Sequence, residues 1–256
     1  MTAFAGSLED AARALAEELE LSVDAATRGE DVVAVAFSGG LDSSILVACA
    51  KKRARVAACT AYVEGARDSF YAGDAARELG VEFAPVLVTR KTAEEDLKGM
   101  SLPFEPSLMD RSLWCVYAAV ARKSREMSAR VMLLGQMADE LFGGYAKYSK
   151  TLEASGESAA EEAMKKDVVA FGARGRVRDV GACSRWVEPR FPFEAEGVVE
   201  LGLSLPVKFK IDGGERKVVL RRAAELLGVP RSLARGDKKA AQYSSGVQRL
   251  LEQLTL

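Results

Sequence analysis

The chain of 256 residues carries 36 Lys and Arg against 37 Asp and Glu, a formal net charge of −1, and it contains no histidine. The missing imidazole excludes Ser-His-Asp and Cys-His triads, a histidine general base and His-ligated zinc, which leaves carboxylates, lysines, hydroxyls, backbone amides and oxygen-bound hard cations. A near-neutral balance argues against an obligatory nucleic-acid binder, although a local basic patch stays compatible with it.

In chain order, Ser7-Leu8-Glu9-Asp10 resembles a capping box, and Leu8, Ala11, Leu15 and Leu19 repeat at helical spacing behind it. Val32–Phe37 is a continuous apolar run and predicts a strand buried on both faces, as in a parallel sheet. Ile45–Arg53 predicts a helix, Val56–Val63 a second strand, and Ser69–Leu79 a helix closed by Gly80. Val81–Val88 predicts a third strand, Ser107–Met127 a long helix and Val131–Leu134 a short fourth strand. Strands and helices thus alternate, so the expected fold is α/β: a doubly wound, mostly parallel sheet with flanking helices. After Tyr148 the pattern changes, with helices over Glu157–Val169 and Glu215–Leu227 and a proline-containing loop over Glu188–Phe193. The expected organisation is one domain over 1–256: an N-terminal helix (1–30), an α/β nucleotide-binding core (31–148) and a mostly helical portion (149–256) that completes the site.

Cys49, Cys59, Cys115 and Cys183 are widely spaced, with no Cys-x-x-Cys, so buried reduced thiols are expected rather than a zinc or redox centre. No apolar run is long enough to span a bilayer, and the first residues lack the basic and apolar regions of a signal peptide. A cytoplasmic location is expected.

Two loops carry the chemistry. The first, Ser38-Gly39-Gly40-Leu41-Asp42-Ser43-Ser44, joins a buried strand to a helix. Its glycines permit a sharp turn and close approach to a ligand, and free amides at the helix start face an anion. Hydroxyls of Ser38, Ser43 and Ser44 add donors for phosphate oxygens, and Asp42 fits beside phosphate if a magnesium ion bridges them. No Gly-Lys-Ser/Thr follows, so it is not a Walker loop. The second loop, Gly135-Gln136-Met137-Ala138-Asp139-Glu140 through Tyr145, follows the fourth strand. Ligands of doubly wound sheets sit at the carboxyl ends of the strands, so both loops are expected at one pocket, with Asp42 and Asp139 placed to share magnesium. Taken alone, Asp139-Glu140 also reads as a charged helix start favoured by the macrodipole.

The Ser38–Ser44 loop resembles the pyrophosphate-loop signature of the N-type ATP pyrophosphatases. Gly135–Tyr145 resembles the second motif of the synthetase domain of asparagine synthetases and the related β-lactam synthetases. Weaker matches follow in order at Glu188–Phe193, Lys217–Arg221 and Arg235–Lys239, so the resemblance spans roughly residues 30–250. It implies an adenine nucleotide alpha-hydrolase-like fold and an ATP-dependent ligase. A carboxylate would attack the α-phosphorus of ATP, pyrophosphate would leave, and ammonia or an amine would take the acyl group. It further implies that Ser38, Gly39, Gly40, Asp42, Ser43 and Ser44 hold pyrophosphate and its Mg2+, with Asp139 as the second magnesium carboxylate. Lys217 and Lys238 would stabilise the phosphates, and Gly135 with the strand end at Tyr62-Val63 would border the adenine.

The sequence departs from that pattern in three places. Thr2 stands where the family's glutaminase domain carries its cysteine, and the residues before Val32 are too few to hold that domain. The expected nitrogen source is therefore free ammonia, another amine or the product of a separate amidotransferase partner. Gln136 replaces the family's glutamate, and an amide cannot act as a general base. Pro192-Phe193-Glu194-Ala195 loses or displaces the family's aspartate. Two further readings follow from the residues. The stretch from Leu205 to Lys239 holds ten Lys and Arg against four Asp and Glu, which would suit a tRNA-modifying pyrophosphatase as well as a triphosphate site. Gln136 would also suit a nucleotide-binding partner subunit without turnover. The carboxylate substrate and any homo-oligomer stay open.

Overall fold

The structure is a computed structural model describing residues 4–65, 68–236 and 245–253. Ser7 caps α1 (Leu8–Thr27) through the anticipated box: its hydroxyl accepts from the Asp10 amide while the Asp10 carboxylate accepts from the Ser7 amide. Ala11, Leu15, Leu19 and Val23 bury one face of that helix.

Five parallel strands form the central sheet: β1 (Val32–Ala36), β2 (Arg55–Tyr62), β3 (Glu82–Leu87), β4 (Val131–Leu133) and β5 (Glu188–Arg190), in the order β3-β2-β1-β4-β5. Between them run α2 (Leu41–Ala50), α3 (Asp68–Leu79), α4 (Arg90–Lys98) and α5 (Leu108–Glu126). The side chains of β1 alternate between two cores, with Val33 and Val35 packing among α1 and α2 residues, and Ala34 among α5 residues such as Trp114 and Cys115. Both faces are therefore covered, which is why β1 reads as an unbroken apolar run. The chain winds outward from β1 through β2 to β3 and then returns to β4 on the other side. The order reverses between β1 and β4, so the loops leaving those two strands flank one crevice. The doubly wound parallel sheet expected from the sequence is the fold observed. All four cysteines are buried and unpaired.

Beyond β4 come α6 (Ala138–Phe142), α7 (Ala146–Ala170), a π-helical turn (Phe171–Gly175) and α8 (Arg176–Cys183). After β5 and a 3₁₀ turn (Pro192–Glu194) follow α9 (Glu196–Ser204), α10 (Val207–Lys210), a hairpin of β6 (Ile211–Asp212) and β7 (Glu215–Arg216), α11 (Val218–Leu226), α12 (Arg231–Ala234) and α13 (Val247–Glu252).

Several expectations shift. The second helix begins at Leu41 rather than Ile45, directly after Gly40, so Asp42 and Ser43 lie in its first turn. The helix expected over Glu157–Val169 begins at Ala146 and kinks at Gly156, whose φ of +82° breaks the helical pattern. The proline loop at Glu188–Phe193 includes an edge strand, where Pro189 is tolerated because its missing N–H faces away from a partner. The helix expected from Glu215 begins at Val218, because Glu215 and Arg216 pair with Asp212 and Ile211. The helices α4, α8 and α9 had no counterpart in the expectation. Among the described residues no helix is long and apolar enough to cross a membrane.

Candidate functional site

A cavity of about 820 Å³ opens over the carboxyl ends of β1 and β4 and extends under α5, α7 and α8. Its floor is the first loop. Gly39, with φ +71°, makes the turn, and an added Cβ there would come within 3.2 Å of the Ala72 Cα, so glycine is required for both conformation and space. The loop is internally braced: Gly40 N–H donates to Ser38 Oγ at 3.2 Å, Ser38 N–H donates to Ser43 Oγ at 3.3 Å, and Ser43 Oγ donates to the Gly40 carbonyl at 3.1 Å.

Above the floor, three charged side chains from separate parts of the sequence meet. Lys217 Nζ donates to both Asp42 oxygens at 2.7 Å and lies 2.7 Å from Asp139 Oδ1. The Asp139 and Asp42 carboxylates outweigh burial and hold the Lys217 ammonium more firmly protonated than usual, while burial pushes Asp42 up against the pull of Lys217. Lys217 caps α11 with a left-handed backbone, φ +59°, and Met137 does the same for α6 at φ +72°. Left-handed non-glycine residues cost on the order of 1–3 kcal/mol and gather where surrounding structure fixes a functional geometry. Lys217 lines this cavity, and Met137 lies in the chain between the wall residues Gln136 and Asp139. Gly144 leaves room for the cluster, since a Cβ there would land on Asp139 Oδ1 and Lys217 Cε. Arg216 and Arg221 line the same wall.

The structure brings Ser38, Gly40, Asp42, Ser43, Gly135, Gln136, Asp139 and Lys217 to the cavity wall. Four expected residues sit off the wall. Ser44 is fully buried on α2 with its hydroxyl unpartnered, because the helix turns it away from the loop mouth. Tyr62 and Val63 lie past the wall; β2 contributes Cys59, Thr60 and Ala61 instead, since β2 passes the cavity before it ends. Gly39 shapes the loop from beneath, packed on Tyr71 and Ala72. Lys238 lies outside the described residues. Glu194, in the departing Pro-Phe stretch, pairs with Arg176 and is not on the wall.

Two parts of the site escaped the sequence reading. Glu140, 7% exposed, lines the cavity and accepts a hydrogen bond from the Tyr145 hydroxyl at 2.7 Å. Burial pushes its carboxyl up to about 7, so it can take or release a proton near neutrality. Beside an aspartate at a helix start it reads only as a macrodipole charge. The other part is a cluster behind Gln136. Gln136 Nε2 donates to Asp179 Oδ2 at 2.6 Å, Arg178 bridges Asp179 at 2.7 Å and Asp110 at 3.2 Å, and Arg174 meets Asp110 at 2.8 Å. Asp110 also closes the capping box of α5 with Ser107. Burial opposes its ionisation, but the Ser107 and arginine hydrogen bonds outweigh that and hold it at about 2.

Glu140 gives a stability prediction. Its folded-state value of about 7 exceeds the ordinary 4.5, so the folded state binds the extra proton between those values. Its contribution to stability is therefore fully present below about 4.5 and is lost as pH rises through 7, by up to about 1.4 kcal/mol per pH unit. Glu140→Gln keeps an oxygen for Tyr145 and removes the charge. Thermal melts between pH 4.5 and 8 are expected to show a flatter curve for the variant and a gain of about 1–3 kcal/mol at pH 8. Parallel curves would contradict the burial assigned to this carboxyl.

The asparagine synthase family model matches residues 14–179 and 175–255. The chain is 29% identical over 279 aligned positions to a Methanocaldococcus jannaschii protein provisionally named asparagine synthetase (glutamine-hydrolyzing) 1, covering 96% of this chain and 51% of that protein. It is 27% identical to asparagine synthetase B (glutamine-hydrolyzing) of Escherichia coli, covering 91% of this chain and 44% of that one. The chain thus spans about half the length of these relatives. Among solved structures, NMN synthetase from Francisella tularensis aligns at 12% identity and a TM-score of 0.46, over 98% of this chain and 87% of that one. Matched from residue 14 to residue 255, this chain belongs to the asparagine synthase family.

Proposed function

We propose that the chain is an ATP-dependent ligase that adenylates a carboxylate and transfers the acyl group to ammonia or an amine. The observation that carries this reading is the meeting of Asp42, Asp139 and Lys217 over the Ser38–Ser43 loop, in a cavity that continues past Gln136. A substrate carboxylate oxygen bonds to the α-phosphorus of ATP, and the bond from that phosphorus to the oxygen shared with the β-phosphate breaks. Pyrophosphate leaves with the bonding pair. The nitrogen nucleophile then bonds to the acyl carbon, AMP leaves, and one N–H proton is released. Glu140 on the same wall is suited to receive it.

The protein's part in the first step is fixed electrostatics. Loop amides and the Ser38 and Ser43 hydroxyls face the departing phosphates, and Lys217, Arg216 and Arg221 supply positive charge without reorganising. Lys238 belongs to the same proposed set. The donors also fit a small hard cation: two carboxylates drawn together around one ammonium, with phosphate oxygens left to complete the shell. Asp42 and Asp139 would hold Mg2+, which neutralises pyrophosphate charge when bound. Family membership, the oxygen-rich donor set and the absence of any need for histidine support this reading together.

The test is pyrophosphate release from ATP and Mg2+ with a panel of acids, beginning with L-aspartate, plus ammonium chloride. Wild type is expected to release pyrophosphate only when an acid is present. Asp42→Ala is expected to lose at least about a hundredfold in rate, since it removes a fixed charge at the phosphate centre. ATP turnover with no acid requirement, or an Asp42→Ala variant as active as wild type, would refute the ligase reading.

A further inference from the structure

Gln136 occupies the wall between the phosphate end of the cavity and its extension under α7 and α8, and its amide has a fixed orientation. A carboxylate only accepts hydrogen bonds. The Gln136 atom 2.6 Å from Asp179 Oδ2 is therefore Nε2, and the choice follows from the partner. Asp179 is fully buried and does not reach the cavity. Its other oxygen accepts from Arg178 Nε at 2.7 Å, and a guanidinium cannot accept a hydrogen bond in return. Burial pushes the Asp179 carboxyl up, against the pull of Arg178 and of the Gln136 amide. Asp110, Asp179, Arg174 and Arg178 balance to zero charge with both acids ionised, and the Arg178 guanidinium bonded to both acids at 2.7 and 3.2 Å favours Asp179 as the carboxylate beside Gln136. Gln136 Oε1 then turns to the opposite side. It has no hydrogen-bond partner among the described residues and is not among their buried unpartnered atoms, so it is open to the cavity.

We propose that Asp179 is a positioning residue that fixes Gln136 with its carbonyl oxygen toward the cavity, where it accepts an N–H of the nitrogen nucleophile. The inference rests on the ligase reading above and narrows its second substrate to ammonia or an amine with an N–H to spare for Gln136 besides the one it loses. Gln136 orients that nitrogen and takes no proton from it. This gives the substitution of an amide for a carboxylate a role of its own: an acceptor with no charge, beside a buried cluster whose two acids are already matched by Arg174 and Arg178. A neutral acceptor also favours neutral ammonia over ammonium, because it adds no charge to stabilise the cation.

Asp179→Asn gives a sharp test. Its Oδ1 takes the place opposite Arg178 Nε, which leaves Nδ2 opposite Gln136. Gln136 must then present Oε1 to that donor and turn its NH₂ group into the cavity, which replaces the acceptor with a donor. The Michaelis constant for ammonia, measured with L-aspartate and ATP, is expected to rise about 10- to 100-fold, the worth of a buried hydrogen bond exchanged for a repulsive pair. That for ATP is expected to move less than about threefold, no more than the low end of what a lost hydrogen bond costs. The double variant Gln136→Glu with Asp179→Asn restores an acceptor, since one glutamate oxygen can meet Nδ2 and the other faces the cavity. It is expected to recover most of the ammonia effect. Equal rises in both constants, or no recovery in the double variant, would overturn the proposal in favour of a purely structural Asp179.

A second measurement does not depend on turnover. The side-chain amide resonances of Gln136, assigned by their loss in Gln136→Glu, are expected to include one strongly downfield, exchange-protected proton in wild type and none in Asp179→Asn. A freely exchanging amide pair in wild type would also overturn it. Absence of acid-dependent pyrophosphate release would instead count against the ligase reading, and the amide spectrum would still decide the orientation of Gln136.

Discussion

Gly144→Ala is expected to lower acid-dependent pyrophosphate release about a hundredfold or more while leaving the fold intact. The position demands space rather than conformational freedom. An added Cβ would overlap Asp139 Oδ1 and Lys217 Cε, the two atoms that bring the second acid to the bridging ammonium. The backbone of Gly144 cannot simply retreat, because its N–H donates to the Asp139 carbonyl at 2.8 Å and its carbonyl accepts from Arg216. The methyl must therefore push Asp139 and Lys217 apart. Displacing positioned groups by about 1 Å costs roughly a hundredfold in rate. Gly172→Ala is the matched control, since nothing lies within 4 Å of a Cβ there and that residue is off the cavity wall. The pair is read by steady-state rate and by thermal melt. A Gly144→Ala enzyme with the wild-type rate and melting point would mean that the Asp139–Lys217 contact is not the working geometry.

The same residues show what a sequence can and cannot reveal. Val32–Ala36 was legible because a parallel central strand is buried on both faces and leaves an unbroken apolar run. Glu188–Arg190 was not, because a three-residue edge strand needs no such run and can accommodate Pro189. Glu157–Val169 reads as helix on composition, but the preceding turns from Ala146 are polar and interrupted at Gly156, so the true start was hidden. Lys217 stood just inside an expected helix and instead caps it in a left-handed conformation. That conformation follows from the short hairpin before it, whose two-residue strands carry no period to detect.

At the site, residues on glycine-rich loops were legible and residues on plain helices were not. Asp42, Asp139 and Lys217 belong to ordered motifs, so their convergence could be anticipated. Asp110 and Asp179 could not be singled out, because an acid in a capping box and an Arg-Asp pair on a helix both read as solvated surface. Their burial appears only when α5 and α8 pack together and leave Arg178 and Asp179 almost no contact with solvent. Lys210 is a similar case: it belongs to the basic stretch that suggested an anion partner, yet it is buried on α10, and burial pulls its ammonium down to about 8. Part of the charge in that stretch is also matched within the chain, by the Arg235–Glu225 and Arg221–Glu215 pairs.

Lys217→Met should have the largest effect on both stability and activity. Methionine matches the length and apolar stem of lysine but leaves the Asp42 and Asp139 carboxylates facing each other without the ammonium that now touches both at 2.7 Å. Removing one partner of a buried ionic group costs about 3–5 kcal/mol, because the remaining charge keeps its desolvation penalty and loses its compensation. Those side chains are 21% and 31% exposed, which lets water recover part of the cost, so the lower end of that range is expected. In a domain of this size it corresponds to a fall in melting temperature on the order of 6–12 °C. The rate of pyrophosphate release is expected to fall by about 10²–10³, as for loss of a preorganised electrostatic group. Added Mg2+ separates the causes. A divalent cation that settles between the two freed carboxylates will restore melting temperature in the variant far more than it raises that of wild type, where Lys217 already compensates them. It will not restore the rate, because the cation then replaces the lysine between the acids without supplying a second positive charge to the phosphates. A variant that melts like wild type, with no greater response to Mg2+, would show that the ammonium does not hold the two aspartates together in solution.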